Sequence, residues 1–221
     1  MKNKFFCVMG LIFILPVFSV SAQIGGSEIG MPSALNEADL KNLIDNPVVI
    51  SALAKELPDD KDGKEWFTLA CDTHILTLIP IEKIYAALKD FASYPKNFGA
   101  KEAKIIRTQG NGDVVSTSAG KFGVNSTYVY LQSEPVNSDA EHLIVRISID
   151  TEGDQTIKNM DTQYYMKTLT LDGKTYTYLR NSDTTDYLGG RLPFQFTVMK
   201  GGNESSHKDG LKDLVKAAAK Y

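Results

Sequence analysis

Residues 79–95 read Ile-Pro-Ile-Glu-Lys-Ile-Tyr-Ala-Ala-Leu-Lys-Asp-Phe-Ala-Ser-Tyr-Pro, and this stretch decides the fold. Pro80 stands at the first turn of a helix, where its missing N–H leaves nothing unsatisfied. Ile81, Ile84, Tyr85, Leu88 and Phe91 follow at helical spacing and give one apolar face. Pro95 cannot continue a helix, so Tyr94-Pro95 closes it.

On the N-terminal side of this helix the period changes from helical to alternating. Phe67, Leu69, Cys71, Thr73 and Ile75 share one face, and Thr68, Ala70, Asp72 and His74 share the other. On its C-terminal side a series of strands begins after Gly99. Lys104–Thr108 leads into the tight turn Gly110-Asn111-Gly112-Asp113. Strands 113–121 and 124–134 are separated by Gly123. A loop over 135–140 precedes a strand over 141–150, with Leu143, Val145, Ile147 and Ile149 on one side. Strands 163–171 and 174–186 flank Asp172-Gly173, the clearest hairpin signal in the chain. Short strands joined by such turns predict an antiparallel meander and an α+β class.

Both ends of the chain return to helix. Gly189-Gly190 breaks the last strand, and Pro193 suits a first helical turn. Leu211, Leu214, Val215 and Ala218 then form the stripe of an amphipathic helix that must pack on the sheet. Gly201-Gly202-Asn203 interrupts this element and shortens the grip. Upstream, Ser33 is the expected N-cap of a helix striped by Leu35, Leu40, Leu43 and Ile44, which Pro47 stops. A second helical run is expected over Val48–Leu57. Asp59–Glu65 is a charged turn: an EF-hand frame on Gly63 would put Pro58 and Leu69 at ligand positions, where oxygen donors are required.

Lys2 and Lys4, an apolar run over 5–20 and Ser21-Ala22 read as a secretory signal peptide over 1–22. The run is too short for the ~20 residues of a bilayer span. The expected product is soluble, periplasmic or secreted, and free of any membrane span. It comprises a leader and short helical appendage over 23–65 and one main domain over 66–221. The full chain has 24 Lys+Arg against 27 Asp+Glu, a net charge of −3. Losing Lys2 and Lys4 leaves 22 against 27, or −5. Without a basic stripe, a nucleic-acid partner is excluded. Cys71 alone survives cleavage, and a buried inert thiol is its expected state.

The order of strand, helix, long antiparallel run and terminal helix resembles the START-like (SRPBCC, helix-grip) superfamily. That group includes Bet v 1-type and bacterial polyketide cyclase/dehydrase-like proteins. Residues 79–85 look like its strand-to-helix passage, and Asp90-Phe91-Ala92-Ser93-Tyr94-Pro95 looks like its helix exit. Gly189-Gly190-Arg191-Leu192-Pro193 is similar to the start of its terminal helix. The likeness covers Trp66 to Tyr221. It implies a curved sheet of about seven strands wrapped on a long C-terminal helix, with a cavity between them for a lipid or other hydrophobic molecule.

The candidate lining residues are Tyr128, Tyr130, Val145, Ile147, Tyr164, Met166, Tyr176, Tyr178, Arg180, Phe194, Leu211 and Leu214. Tyrosines suit such a wall, because an apolar ring grips while a hydroxyl orients. Alternating aromatics also fill the buried face of any sheet, so core packing stands beside pocket lining for each. Arg180 shares parity with Tyr176 and Tyr178 and is the candidate partner of an acidic head group. Arg146 falls opposite Val145 and Ile147 and is expected in solvent.

No catalytic signature is present. His74, His142 and His207 are far apart, and none has a second ligand at metal spacing. His74 and His142 are expected exposed or satisfied, and His207 is expected to cap the last helix. No nucleophile elbow, phosphate-binding loop or cofactor fingerprint occurs. The leading reading is therefore a non-enzymatic binding protein without cofactor or metal. Two alternatives stand: an interaction domain that docks a protein through its N-terminal helices, and a cyclase-like enzyme acting on an aromatic substrate.

Overall fold

The computed structural model describes residues 31–32, 35–58, 61, 63, 65–121, 124–135, 142–149, 157–188 and 195–221. For 119–121, 124–126, 142–149 and 195–199 it describes the backbone alone. Residues 1–22, read as a signal peptide, most of the expected leader, Ser33, residues 136–140 and Gly189–Phe194 lie outside the described residues.

Eight strands form one antiparallel sheet among the described residues. They are β1 (Val48–Leu57), β2 (Trp66–Thr77), β3 (Glu102–Gln109), β4 (Gly112–Lys121), β5 (Val124–Ser133), β6 (His142–Ile149), β7 (Ile157–Leu171) and β8 (Lys174–Leu188). Their spatial order is β1-β2-β8-β7-β6-β5-β4-β3. The seven strands from β2 onward make the anticipated grip, and β1 adds an eighth at the edge. The two hairpin signals sit where they were read. Asp172 (φ 49) and Gly173 (φ 74) both take positive φ between β7 and β8, as a two-residue hairpin turn of this hand requires. Gly112 (φ 150) opens β4, and a Cβ there would lie 2.2 Å from the Gln132 carbonyl oxygen, so only glycine fits.

The N-terminal appendage differs from its reading. Val48–Leu57 is a strand, not a helix: it pairs antiparallel with β2 from Val48↔His74 to Leu57↔Trp66. β-branched Val48, Val49 and Ile50 favour extended backbone, and β2 otherwise presents an unpaired edge. A register shift between Val49 and Ser51 changes which residues face inward. The helix before it, α1, is short, Glu37–Asn42. Its N-cap is Asn36, whose side chain accepts from the Asp39 N–H at 3.0 Å while Asp39 returns the bond at 3.0 Å. After α1 the chain reverses at Asp45 (φ 50), having exchanged backbone bonds with Leu76.

The central helix also ends sooner than its stripe. α2 spans Ile81–Lys89, a 3₁₀ turn takes Phe91–Ser93, and α3 spans Tyr94–Asn97. Pro95 lies in the first turn of α3 and so opens a helix instead of closing one. The terminal helix, α4, runs unbroken over Gln195–Ala218. The predicted interruption at Gly201-Gly202 is absent. Each helical glycine costs about 1 kcal/mol relative to alanine, and burial of Leu211, Leu214, Ala217 and Ala218 outweighs this.

Among the described residues three apolar cores result. The first packs Leu211 and Leu214 of α4 on Ile75, Met166 and Leu179 of the sheet and on Ile84 and Leu88 of α2. The second lies on the opposite, convex face, where Leu43, Leu76, Tyr165, Leu171, Tyr176 and Tyr178 are covered by Leu35, Leu40 and Ile44. The third joins Phe91 to Val115 and Tyr130. At the C-terminus, the Tyr221 hydroxyl donates to the Asp90 carboxylate and Lys220 Nζ donates to Asn97 Oδ1 at 2.7 Å. The end of α4 is thereby fastened to the Asp-Phe-Ala-Ser-Tyr-Pro exit.

Candidate functional site

Register identifies the concave face. Ile75 pairs with Leu179, and Leu179 pairs with Met166, all three beneath α4. One step along each strand, Thr73, Asn181, Tyr164 and Val145 form the next row on this face. The row after that is Cys71, Asp183, Thr162, Ile147 and Gln132. The face therefore grades from apolar under the C-terminal half of α4 to polar under its N-terminal half.

α4 contacts β1, β2 and α2, while the 3₁₀ turn and α3 contact β3. These helical covers reach toward opposite edges of the sheet and meet where α2 packs on α4 and β7 and α3 meets the end of α4. Between them β5 and β7 present Tyr128, Met160 and Tyr164, each half-buried. Tyr130 is buried with its hydroxyl 3.1 Å from Thr117 Oγ1. Burial, then the Asp183 charge, then Tyr130 push the Tyr164 hydroxyl well above its ordinary pKa. Burial does the same to Tyr130 and, with Asp183 and Tyr128, to Tyr187. These groups are neutral hydroxyls set among the apolar and polar side chains of the concave face.

Asp183 anchors the polar row. It accepts from Thr162 Oγ1 and from Thr185 Oγ1 at 3.2 Å and 3.3 Å. His207 of α4 reaches down to it, with Nε2 3.5 Å from Asp183 Oδ2 and Nδ1 2.8 Å from Asn181 Oδ1. His207 is thus a mid-helix residue facing the sheet, not a cap. It lies four residues before Leu211 and continues the same stripe, a signal obscured by its polar neighbours. Among the described residues five buried polar atoms have no hydrogen-bond partner: Asn181 Nδ2, Asn203 Nδ2 and Gln132 Oε1 near these elements, and Ser51 Oγ and His74 Nε2 besides. Cys71 is buried, and burial first, then nearby carboxylates, push its thiol up to about 11, so it is inert at neutral pH.

Tyr128, Tyr130, Tyr164, Met166, Leu211 and Leu214 all lie on this side, the last four in the first core and Tyr128 and Tyr130 in the third. Val145 and Ile147 occupy concave positions by backbone register, with their side chains outside the described residues. Phe194 and the side chains of Arg146 and His142 lie outside them too. Tyr176, Tyr178 and Arg180 do not join the set. They take the opposite parity of β8 from Leu179 and Asn181 and stand on the convex face, beneath α1. Arg180 is spoken for by Asp72, with Nε and Nη2 each 2.9 Å from a carboxylate oxygen. It is no partner for a ligand head group. His74, fully buried beside them, places Nδ1 2.5 Å from the Tyr178 hydroxyl and Nε2 3.2 Å from Asp72 Oδ1. Burial acts to raise the Asp72 pKa, but His74 and Arg180 outweigh it and hold the carboxyl below its usual value.

A cleft of about 180 Å³ opens between sheet and helix, lined by Asp45, Ile75, Lys212, Val215, Lys216 and Ala219. It is smaller than the ~300–1,000 Å³ usual for ligand pockets and lies beyond the tyrosine wall. Among the described residues, no group of His, Cys, Asp and Glu is placed to hold a metal ion, and no helix is long and apolar enough to cross a membrane.

No protein-family model matches the sequence, and no curated protein does. Solved structures match the fold. A STAR-related lipid transfer protein from Xanthomonas axonopodis superposes with a TM-score of 0.54 at 10% identity, covering 75% of this chain and 98% of that one. Human STARD10 gives a TM-score of 0.53 at 15% identity, over 90% and 84% of the two chains. The lipid transfer and protein localization domain of human StarD13 gives 0.51 at 10% identity, over 76% and 88%. The chain has the START-like helix-grip fold.

Proposed function

We propose that this helix-grip protein binds a lipid or other hydrophobic small molecule on its concave face and performs no chemistry on it. The observation that carries the reading is the half-buried set Tyr128, Met160 and Tyr164 on the concave face of β5 and β7, between the two helical covers. Apolar side chains with polar tips, left partly uncovered inside a curved sheet, suit a ligand that completes the core. Two of the matching structures are named for lipid transfer, which supports the same class of ligand. The buried, protonated thiol of Cys71 supports binding over nucleophilic catalysis. The basic, apolar and small-residue sections of 1–22 support export to the periplasm or beyond, with the mature chain starting at Gln23.

The docking reading of the N-terminal segment receives no such support, since Leu35, Leu40, Leu43 and Ile44 pack into the convex core. The test is native mass spectrometry of the mature protein, followed by organic extraction and rebinding of a pyrene-labelled lipid. A bound mass that organic solvent removes, and one-to-one rebinding, are expected. A bare protein mass together with no uptake of the probe would defeat the proposal. N-terminal sequencing of the exported fraction checks the cleavage site.

A further inference from the structure

The polar row under α4 is built beyond what the fold needs. Asn181 is only 4% exposed, yet one end of its amide has no partner. As placed, its Oδ1 meets His207 Nδ1 and its Nδ2 meets nothing. Rotating the amide by half a turn exchanges the two ends and leaves the oxygen unpartnered instead. A buried polar group in this state costs about 1–3 kcal/mol unless something pairs with it. Asn203, one helical turn before His207 on the same face of α4, carries a second buried and unpartnered Nδ2. One orphan amide on β8 and another on the helix that covers it, a turn from the histidine that meets the first, mark a place for a small polar group.

Its charge environment narrows the group. Asp183 lies in the same cluster, and Glu204 is near enough for its charge to act on Cys71. The concave positions of β2 over 67–77, of β7 over 160–170 and of β8 over 177–187 hold no Lys or Arg. An anionic head would face Asp183 and Glu204, and the Lys200 ammonium 3.9 Å from Glu204 is already paired and half-exposed on α4. A cation gains little from Asp183, which already accepts from Thr162 and Thr185 and faces His207. We infer that Asn181, bonded to His207, and Asn203, one helical turn from that histidine, form a subsite for a neutral hydroxyl or amide at one end of an apolar ligand. This deepens the binding reading above and rests on it.

The test compares three pyrene-labelled probes of equal chain length: dodecanol, dodecanoic acid and dodecylamine. Each is titrated by fluorescence at neutral pH against the full mature protein, Asn181→Leu and Asn203→Leu. The wild type is expected to bind the alcohol about tenfold more tightly than the acid and no more weakly than the amine, the worth of a buried hydrogen bond. Each variant is expected to lose most of that preference by weakening the alcohol alone. Asn203→Leu lies on a helix and keeps the test valid if Asn181→Leu does not fold. Tightest binding of the acid or the amine, or a preference untouched by a folded variant, overturns the subsite while leaving the hydrophobic site intact. Failure of all three probes to bind overturns the hydrophobic site and the subsite with it.

Discussion

The two faces of β8 carry similar chemistry put to different ends. On the convex side Asp72, His74, Tyr178 and Arg180 form a compact set under α1; on the concave side Asn181, Asp183 and His207 form another under α4. Each has a histidine between an uncharged partner and a carboxylate. The convex set is sealed by charge pairing: Arg180 takes both oxygens of Asp72, and Tyr178 and His74 are wholly buried, with His74 Nε2 within 3.2 Å of Asp72 but outside hydrogen-bonding geometry. The concave set is open, with amide ends unpartnered and half-buried tyrosines alongside. The contrast separates a polar cluster that fixes a layer of structure from one that waits for a partner.

The largest effect should come from breaking the closed set. Asp72→Ala leaves Arg180 and His74 buried without their carboxylate, and a loss of about 3–5 kcal/mol is expected in urea denaturation. Tyr178→Phe strips His74 Nδ1 of its partner in a dry site and should cost about 1–3 kcal/mol. Asn181→Leu, the matching change in the open set, should alter stability by less than about 1 kcal/mol. It removes an orphan amide and leaves His207, 16% exposed at its side chain, able to reach water. A loss as large as that of Tyr178→Phe would erase the distinction between the faces.

Acid sharpens the same comparison. The folded Asp72 carboxyl is held below the value of about 3.9 for an unfolded aspartate. Its contribution is therefore complete above about pH 4 and lost as pH falls through the lower folded value. Stability measured from pH 6 downward should fall in that range in the wild type and fall less in Asp72→Asn. A parallel decline in both would assign the acid sensitivity elsewhere. The smallest effect concerns the cover of the open set. A Cβ at Gly201 or Gly202 of α4 meets nothing within 4 Å, so alanine at either should stabilise the protein by about 0.5–1 kcal/mol.

Legibility followed the range of the forces involved. Local turn chemistry placed Asp172-Gly173 and Gly112, and period alone placed α2 and the strands from β3 to β8. Val48–Leu57 was misread because its apolar spacing fits helix and strand alike, and the deciding bonds come from β2. The face of Tyr176, Tyr178 and Arg180 was misread for a different reason. Alternation groups residues correctly but cannot say which side is inward when both faces of a strand are covered, and β8 is buried on both. Asn181, Asp183 and Asn203 carry no linear motif; only pairing and the overlying helix bring them together. His207 was legible in spacing and hidden by composition.

The joint between β2 and β8 has a consequence for how the molecule comes into being. Asp72 and Arg180, which cross it, are 108 residues apart in sequence, and every other step of the main meander from β3 to β8 is a neighbour-to-neighbour hairpin. The meander can zip up progressively, whereas this seam waits for two distant segments to meet, a slow event in entropic terms. A nascent or truncated chain ending before Lys174 would hold β1 and β2 as an orphaned hairpin, with the apolar side of β2 (Phe67, Leu69, Ile75) uncovered and Asp72 without Arg180. Such a chain is a natural client for a holdase, and ribosome-bound fragments of increasing length should become protease-resistant only once the final strand has emerged.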